Sequence, residues 1–322
     1  AGSVVFRVYD RAGKKVFASR PSRVSLSPGD TQTLQDRFRL KAPACDLYRV
    51  TADLVRNGRM VDTIETGFAA YNEKVTSAGL PLEYRDNYFH VGDRPVLLSG
   101  TNATGAIFCS GNENPLVWDR DLARMNDNGL NSLRVLHFSP FVSDTPTPTA
   151  VKPIDLAIDR LPLATERKLD ALGQLCQKHR IVLLLSIHDW MPVELTDEEL
   201  AAQRRFAELI AARYKDVPGF MIDIQNEPHI DLPRERKDQP DHLIKLWNDH
   251  LRTKYGSDEA LRAAWTKSPP EGPIGSIPYR AGTDSPDDAR TFDADAFRNV
   301  LLNRWARANF GGAKEGDPNV PV

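Results

Sequence analysis

FMIDIQNEPHI, residues 220–230, decides how the rest of the chain is read. Phe220, Met221, Ile222 and Ile224 form a short apolar run behind the turn dipeptide Pro218-Gly219, the pattern of a buried strand. The run stops at Asn226-Glu227-Pro228-His229, where Pro228 has no N–H to offer a ladder. A carboxyl beside an amide places a proton carrier next to a hydrogen-bonding partner for substrate. Taken alone, the segment also fits a strand-end Glu paired with a surface Arg.

The same rhythm recurs toward the N-terminus. Residues 181–187 (IVLLLSI) are an unbroken apolar run ending in His188-Asp189-Trp190. Residues 132–137 (SLRVLH) end at His137, and residues 96–99 lead into Gly100-Thr101-Asn102. Between these runs, residues 119–128, 164–179 and 198–214 space their apolar side chains as helices do. Strand–helix alternation with strands apolar on both faces predicts a parallel sheet. Polar and aromatic residues stand at the same end of each strand: Asn102, His137, His188-Asp189-Trp190 and Asn226-Glu227. In a barrel of parallel strands those ends converge on one cleft. Beyond the fourth strand, residues 241–265 and 293–309 read as helices, the second with Phe297, Leu301 and Trp305 on one face.

Residues 1–72 follow a different pattern. Short strands over 4–9, 15–18, 33–40, 47–55 and 60–71 alternate with turns, and Asn57-Gly58 is a strong hairpin signal. This spacing predicts an all-β sandwich of immunoglobulin type. Residues 73–87 read as a linker and 88–322 as the α/β domain; a length of 322 residues agrees with two domains.

With 41% hydrophobic and 27% charged residues the composition is that of an ordinary globular protein. A formal charge of -2 gives no electrostatic case for nucleic acid or a membrane surface as partner. No apolar run approaches membrane-spanning length. Cys45, Cys109 and Cys176 are too widely spaced for a disulfide framework or zinc knuckle and read as buried thiols. His188, Asp189 and His229 match no metal-ligand spacing. Neither metal nor cofactor is expected. The compartment stays open, with a secreted or periplasmic setting favoured over a cytoplasmic one.

Four stretches in order resemble the glycoside hydrolases of the large (β/α)8 clan that includes β-galactosidases, β-mannosidases and cellulase-type endoglycanases. Residues 90–102 (HVGDRPVLLSGTN) are similar to their first barrel strand, and residues 131–135 (NSLRV) to the second with its Arg. Residues 181–190 are similar to the third, and Asn226-Glu227-Pro228 matches the fourth-strand signature. Residues 247–265 (WNDHLRTKYGSDEALRAAW) look like a segment of the β-galactosidase-like members. An N-terminal sandwich fits, since several such enzymes carry one.

The resemblance implies retaining cleavage of β-glycosidic bonds by two carboxyls roughly 5 Å apart, through a double displacement. Glu227 would be the acid/base, enclosed with His188 and Trp190 in one sugar pocket and held protonated by burial or a neighbouring carboxylate. Asn226 would bind the 2-hydroxyl, and Arg134 would keep the nucleophile ionised unless its partner is a structural carboxylate. His188 and Trp190 would hold an oligosaccharide or polysaccharide substrate, with Asn102, His137, Asp189 and His229 around them. His188 satisfying a loop carbonyl and Trp190 packing under a helix are the plain alternatives.

One departure matters. The family's nucleophile is a second Glu on the seventh strand, and after Glu227 no Glu here closes an apolar strand: Glu235, Glu259, Glu271 and Glu315 lie in polar, helical or Pro/Gly-rich surroundings. Residues 317–322 look like the entry to a fifth strand. The expectation is therefore an N-terminal sandwich followed by the first half, strands 1 to 4, of a (β/α)8 barrel. The other half would be supplied by the same gene product or by a second chain, and this chain alone would be inactive. The alternative is a carbohydrate-binding or scaffolding protein on a degenerate barrel.

Overall fold

The computed structural model describes residues 2–40, 43, 45–104, 114–136, 154–189, 191–228, 230, 239–280 and 287–322. At the N-terminus, β1 (Gly2–Tyr9), β2 (Lys15–Ala18), β3 (Ser22–Val24), β4 (Leu47–Arg56) and β5 (Arg59–Ala69) form one antiparallel sheet in the order β2-β1-β4-β5, with β3 also paired to β1. Asn57 and Gly58, both at positive φ, close the β4–β5 hairpin as expected. One face stacks Tyr48 on Phe68 with ring centres 5.1 Å apart, beside Phe38 and Phe17. The other holds buried Asp53, satisfied by Arg7 and Thr63.

Here the structure corrects the sequence reading. The described residues of the stretch 1–72 form one sheet where the two sheets of a sandwich were expected, and residues 33–40 form no strand. Phe38 nevertheless stacks on Phe17 and meets Phe68, so a loop side chain covers the aromatics that a second sheet would otherwise cover.

The stretch read as a linker carries α1 (Glu73–Thr76) and β6 (Leu82–Arg85). The latter opens an antiparallel meander with β7 (Tyr88–Val91) and β8 (Arg94–Val96). Val96 thus belongs to the meander, and the first parallel strand begins later than expected, as β9 (Gly100–Thr104). Asn102 consequently lies within this strand and not beyond its end.

β9, β10 (Ser132–Leu136), β11 (Val182–Ser186) and β12 (Phe220–Asp223) form a parallel sheet in the order β12-β11-β10-β9. Their connections contain α2 (Pro115–Asp127), α3 (Leu163–Lys178) and α4 (Asp197–Tyr214). Leu133, Val135, Leu183, Leu185, Phe220 and Ile222 point to one face and pack with Leu169, Leu172, Phe206 and Ile210 of the helices in the main core. The two-residue period of a strand puts Ser132, Arg134, Leu184, Met221 and Asp223 on the opposite face. Cys176 is fully buried in the core, and burial pushes its thiol far above the usual range. Cys45 is only half-buried, and Cys109 lies outside the described residues.

The helix expected over 241–265 is two helices, α5 (Asp241–Tyr255) and α6 (Asp258–Ala264). Gly256 ends the first at φ 75°, and the Ser257 side chain caps the second. With α7 (Ala289–Gly316) they enclose a separate core of Leu243, Trp247, Leu251, Trp265 and Phe297. α7 runs past the expected 309 to Gly316 and lies along α4, where Gln203 accepts from Trp305 Nε1 at 2.9 Å and Asn309 Nδ2 at 3.1 Å. The chain then returns to the sheet: Ile222 N–H donates to the Pro321 carbonyl at 2.9 Å, beside β12.

Candidate active site

The face of the parallel sheet opposite α2, α3 and α4 carries a polar cluster toward its C-terminal end. Arg134 on β10 donates from Nε to Asp223 Oδ2 at 3.0 Å and from Nη2 to the same oxygen. Its Nη1 donates to Asn226 Oδ1 at 3.0 Å. Two strands apart in sequence order, β10 and β12 thus converge on one guanidinium, whose planar fork suits a carboxylate and an amide at once. Asn102 on β9 stands in register with Arg134, and both line a small cavity over Leu184.

Asn226 is fixed twice. Its side-chain oxygen is taken by Arg134, and its backbone N–H donates to Asp189 Oδ1 at 2.7 Å. Asp189 is buried and accepts a second bond from Ser186 Oγ at 2.6 Å. The Asp189 carboxylate therefore links the end of β11 to the end of β12 from below. Gln225 Nε2 donates to the Met191 carbonyl at 3.0 Å and makes a second tie between the same two loops. With Oδ1 committed to Arg134, the Asn226 amide turns its Nδ2 donor away from the guanidinium.

Glu227 follows, with φ 46°, in the left-handed region that few non-glycine residues adopt. It is exposed, contrary to the enclosed carboxyl on which the hydrolase reading of the sequence depends. The reason is architectural: Glu227 stands past the end of β12, at the rim of a sheet that helices cover on the other face.

His188 is a second correction. The extended pleat ends at Ser186, and Met191 N–H closes a turn onto the His188 carbonyl. The imidazole drops into the helix layer against Phe206, ring centres 5.6 Å apart, and is completely buried. Burial lowers its pKa to about 3, against the opposing influence of Asn309 and the Gln203 backbone. It does not share the open face with Arg134 and Asn226. His137, Trp190 and His229 lie outside the described residues.

The structure thus brings together Arg134 and Asn226, places Asn102 on the same face, and puts Asp189 beneath as a support. Asp223 was missed by sequence reasoning. Its signal was available: a charged residue at an inward position of an otherwise apolar strand needs a partner. Beside the cluster, a groove of about 660 Å³ extends over Met221 and Pro228 to Trp305, Arg307 and Phe310 of α7. Among the described residues no group of three or more His, Cys, Asp or Glu could hold a metal ion, and no helix is long and apolar enough to cross a membrane.

No family model and no curated protein matches this chain. Among solved structures it is similar to a β-glucuronidase of Parabacteroides merdae at 17% identity and TM-score 0.33, over 79% of this chain and 28% of that one. It is also similar to a β-galactosidase of the Antarctic haloarchaeon Halorubrum lacusprofundi at 17% identity and TM-score 0.49, over 69% of this chain and 35% of that one. A β-mannanase of the blue mussel Mytilus edulis aligns at 14% identity and TM-score 0.41, over 76% of this chain and 62% of that one. The chain therefore spans less than a third of the length of the glucuronidase it matches.

Proposed function

We propose that this chain is the N-terminal part of a retaining glycoside hydrolase on a (β/α)8 barrel, supplying its first four strands and its acid/base. The observation that carries the reading is the Arg134–Asn226 contact at the C-terminal edge of the parallel sheet, immediately before Glu227. Catalytic groups of such barrels gather at that edge.

In this reading Glu227 protonates the leaving glycosidic oxygen and then deprotonates the water that releases the glycosyl enzyme. Asn226, held at its side-chain oxygen by Arg134 and at its N–H by Asp189, presents Nδ2 to the sugar 2-hydroxyl. The nucleophilic carboxylate lies outside this chain. So does the surface that would desolvate Glu227 and raise its proton affinity. Exposure of Glu227 here is then the physical reason for the chain alone to be inactive. The substrate is an oligosaccharide or polysaccharide, and no cofactor takes part.

A non-catalytic carbohydrate-binding or scaffolding role is favoured by one observation: Arg134 already has its carboxylate, Asp223, within this chain. The two readings separate in the full-length protein. On the hydrolase reading it cleaves aryl β-glycosides, Glu227→Gln lowers the rate by about 10²–10⁴-fold, and the 322-residue chain alone has no turnover. Sugar binding without cleavage in the full-length protein would establish the non-catalytic role, and an undiminished Glu227→Gln rate would remove Glu227 from the mechanism.

A further inference from the structure

We propose that the cleft between β5 and helices α2 and α3 is a second binding site, for a saccharide carrying a carboxylate or sulfate group. It lies on the helix side of the sheet; its geometry is separate from the proposed catalytic face, while the choice of a saccharide as ligand rests on the hydrolase reading.

The cleft encloses about 480 Å³, inside the roughly 300–1,000 Å³ range of small-ligand sites, which favour junctions between domains. Its floor exists because residue 67 is glycine. A Cβ there would sit 2.7 Å from Leu116 Cγ, so α2 could not approach β5 as it does. Phe68 and buried Trp118 form the apolar wall.

Tyr71 stands at the rim with 70% of its surface exposed. Its backbone is nonetheless fixed on both sides, since Gln174 Nε2 donates to the Ala70 carbonyl at 3.0 Å and Gln174 Oε1 accepts from Asn72 N–H at 2.6 Å. An exposed aromatic ring on a fixed stretch of backbone is a platform on which a sugar ring can stack.

The charge at the cleft is positive. Arg167 and Lys168 line it; Lys168 is already engaged, and the charge on offer is that of exposed Arg167, which has no ion pair among the described residues. Asp170 also lines it, but both its oxygens are engaged by Arg213, at 3.0 and 2.6 Å, and one by the Tyr214 hydroxyl at 2.7 Å. Arg213 in turn reaches Glu166. The local acids are thus compensated, and Arg167 offers a fork suited to a carboxylate or sulfate.

The test is calorimetric titration of the 322-residue chain with a uronate tetrasaccharide, a sulfated disaccharide and a neutral tetrasaccharide, with backbone amide shifts recorded alongside. At least one acidic probe should bind tenfold or more tightly than the neutral one, and which of the two binds identifies the anionic group. Shifts should centre on residues 67–71 and 167–174. Arg167→Gln and Tyr71→Ala, both at exposed positions, should each weaken binding by about tenfold, the loss of one charge-assisted contact or one stacking face. Absence of binding, equal affinity for the neutral probe, or shifts confined to residues 221–228 would overturn the proposal.

Discussion

Arg134 and Asp223 meet across the parallel sheet through two donors on one carboxylate oxygen, while the third nitrogen of the same guanidinium holds Asn226. Both side chains are largely screened from solvent. Arg134→Met should therefore cost about 1–3 kcal/mol, because it leaves a partly buried carboxylate and an amide without their donor. Arg134→Lys should recover little of this, since one ammonium cannot span both acceptors in the plane of the fork. Urea unfolding of the two variants decides the matter. A lysine variant as stable as the parent would show that the guanidinium geometry is not used.

The α4–α7 contact rests on missing side chains. A Cβ at Gly312 would lie 2.1 Å from the Arg204 carbonyl oxygen, and one at Gly316 would lie 2.3 Å from that of Glu208. Gly312→Ala gains helix propensity of about 1 kcal/mol but forces the helices apart, and such overpacking costs about 1–3 kcal/mol or more. Net destabilisation is expected, with a lower Tm. Gly173 in α3 is the control. A Cβ added there would meet nothing within 4 Å, so Gly173→Ala should stabilise by about 0.5–1 kcal/mol. Opposite signs for the two alanines in thermal unfolding are the expected outcome.

Three of the four parallel strands were legible because their apolar runs are bounded by turns and separated by helical spacing; the first, Gly100–Thr104, is polar and lies beyond the 96–99 run read as a strand. What sequence could not supply was direction at the strand ends. Ser186 terminates β11, the pleat stops there, and His188 falls to the helix side although simple alternation would send it to the open face. Only one sheet of the expected N-terminal sandwich is seen among the described residues, for a related reason. Residues 33–40 have strand-like composition, yet Phe38 packs onto Phe17 and Phe68 from a loop, a tertiary contact that overrides propensity. Asp223 was passed over because a charge inside an apolar strand declares its partner only when Arg134 is seen beside it.

His188 gives the fold a dependence on acid. Its folded pKa of about 3 lies below the ordinary 6.5, so the unfolded chain binds a proton that the folded chain refuses. Its contribution is fully present above about pH 6.5 and is lost as pH falls toward 3, with a limiting slope of about 1.4 kcal/mol per pH unit. Half-buried His250 is shifted the same way by burial. Asp119, where burial is outweighed by bonds from His179 and Lys178, is held below the usual carboxylate range and adds its own loss only in stronger acid. Unfolding midpoints between pH 6.5 and 5 therefore isolate the histidines. His188→Gln should flatten that segment of the profile, and an unchanged slope would mean that His188 is not buried neutral.

Asp293 ties together the α5–α7 unit. Its fully buried carboxylate accepts from the Tyr255 hydroxyl at 2.7 Å, from Trp265 Nε1 at 2.7 Å and from Lys254 Nζ. Asp293→Ala leaves the Trp265 and Tyr255 donors without their acceptor, while half-exposed Lys254 can return to water, and should cost about 2–4 kcal/mol. Asp293→Asn keeps an acceptor oxygen and should cost less. The core beneath, with Trp247, Trp265 and Phe297, is separate from the one under the parallel sheet. The loss should therefore be local. Amide exchange in Asp293→Ala should accelerate in α5, α6 and the first half of α7, while β10 and β11 retain their protection. Equal acceleration in those strands would show that the two cores open as one cooperative unit.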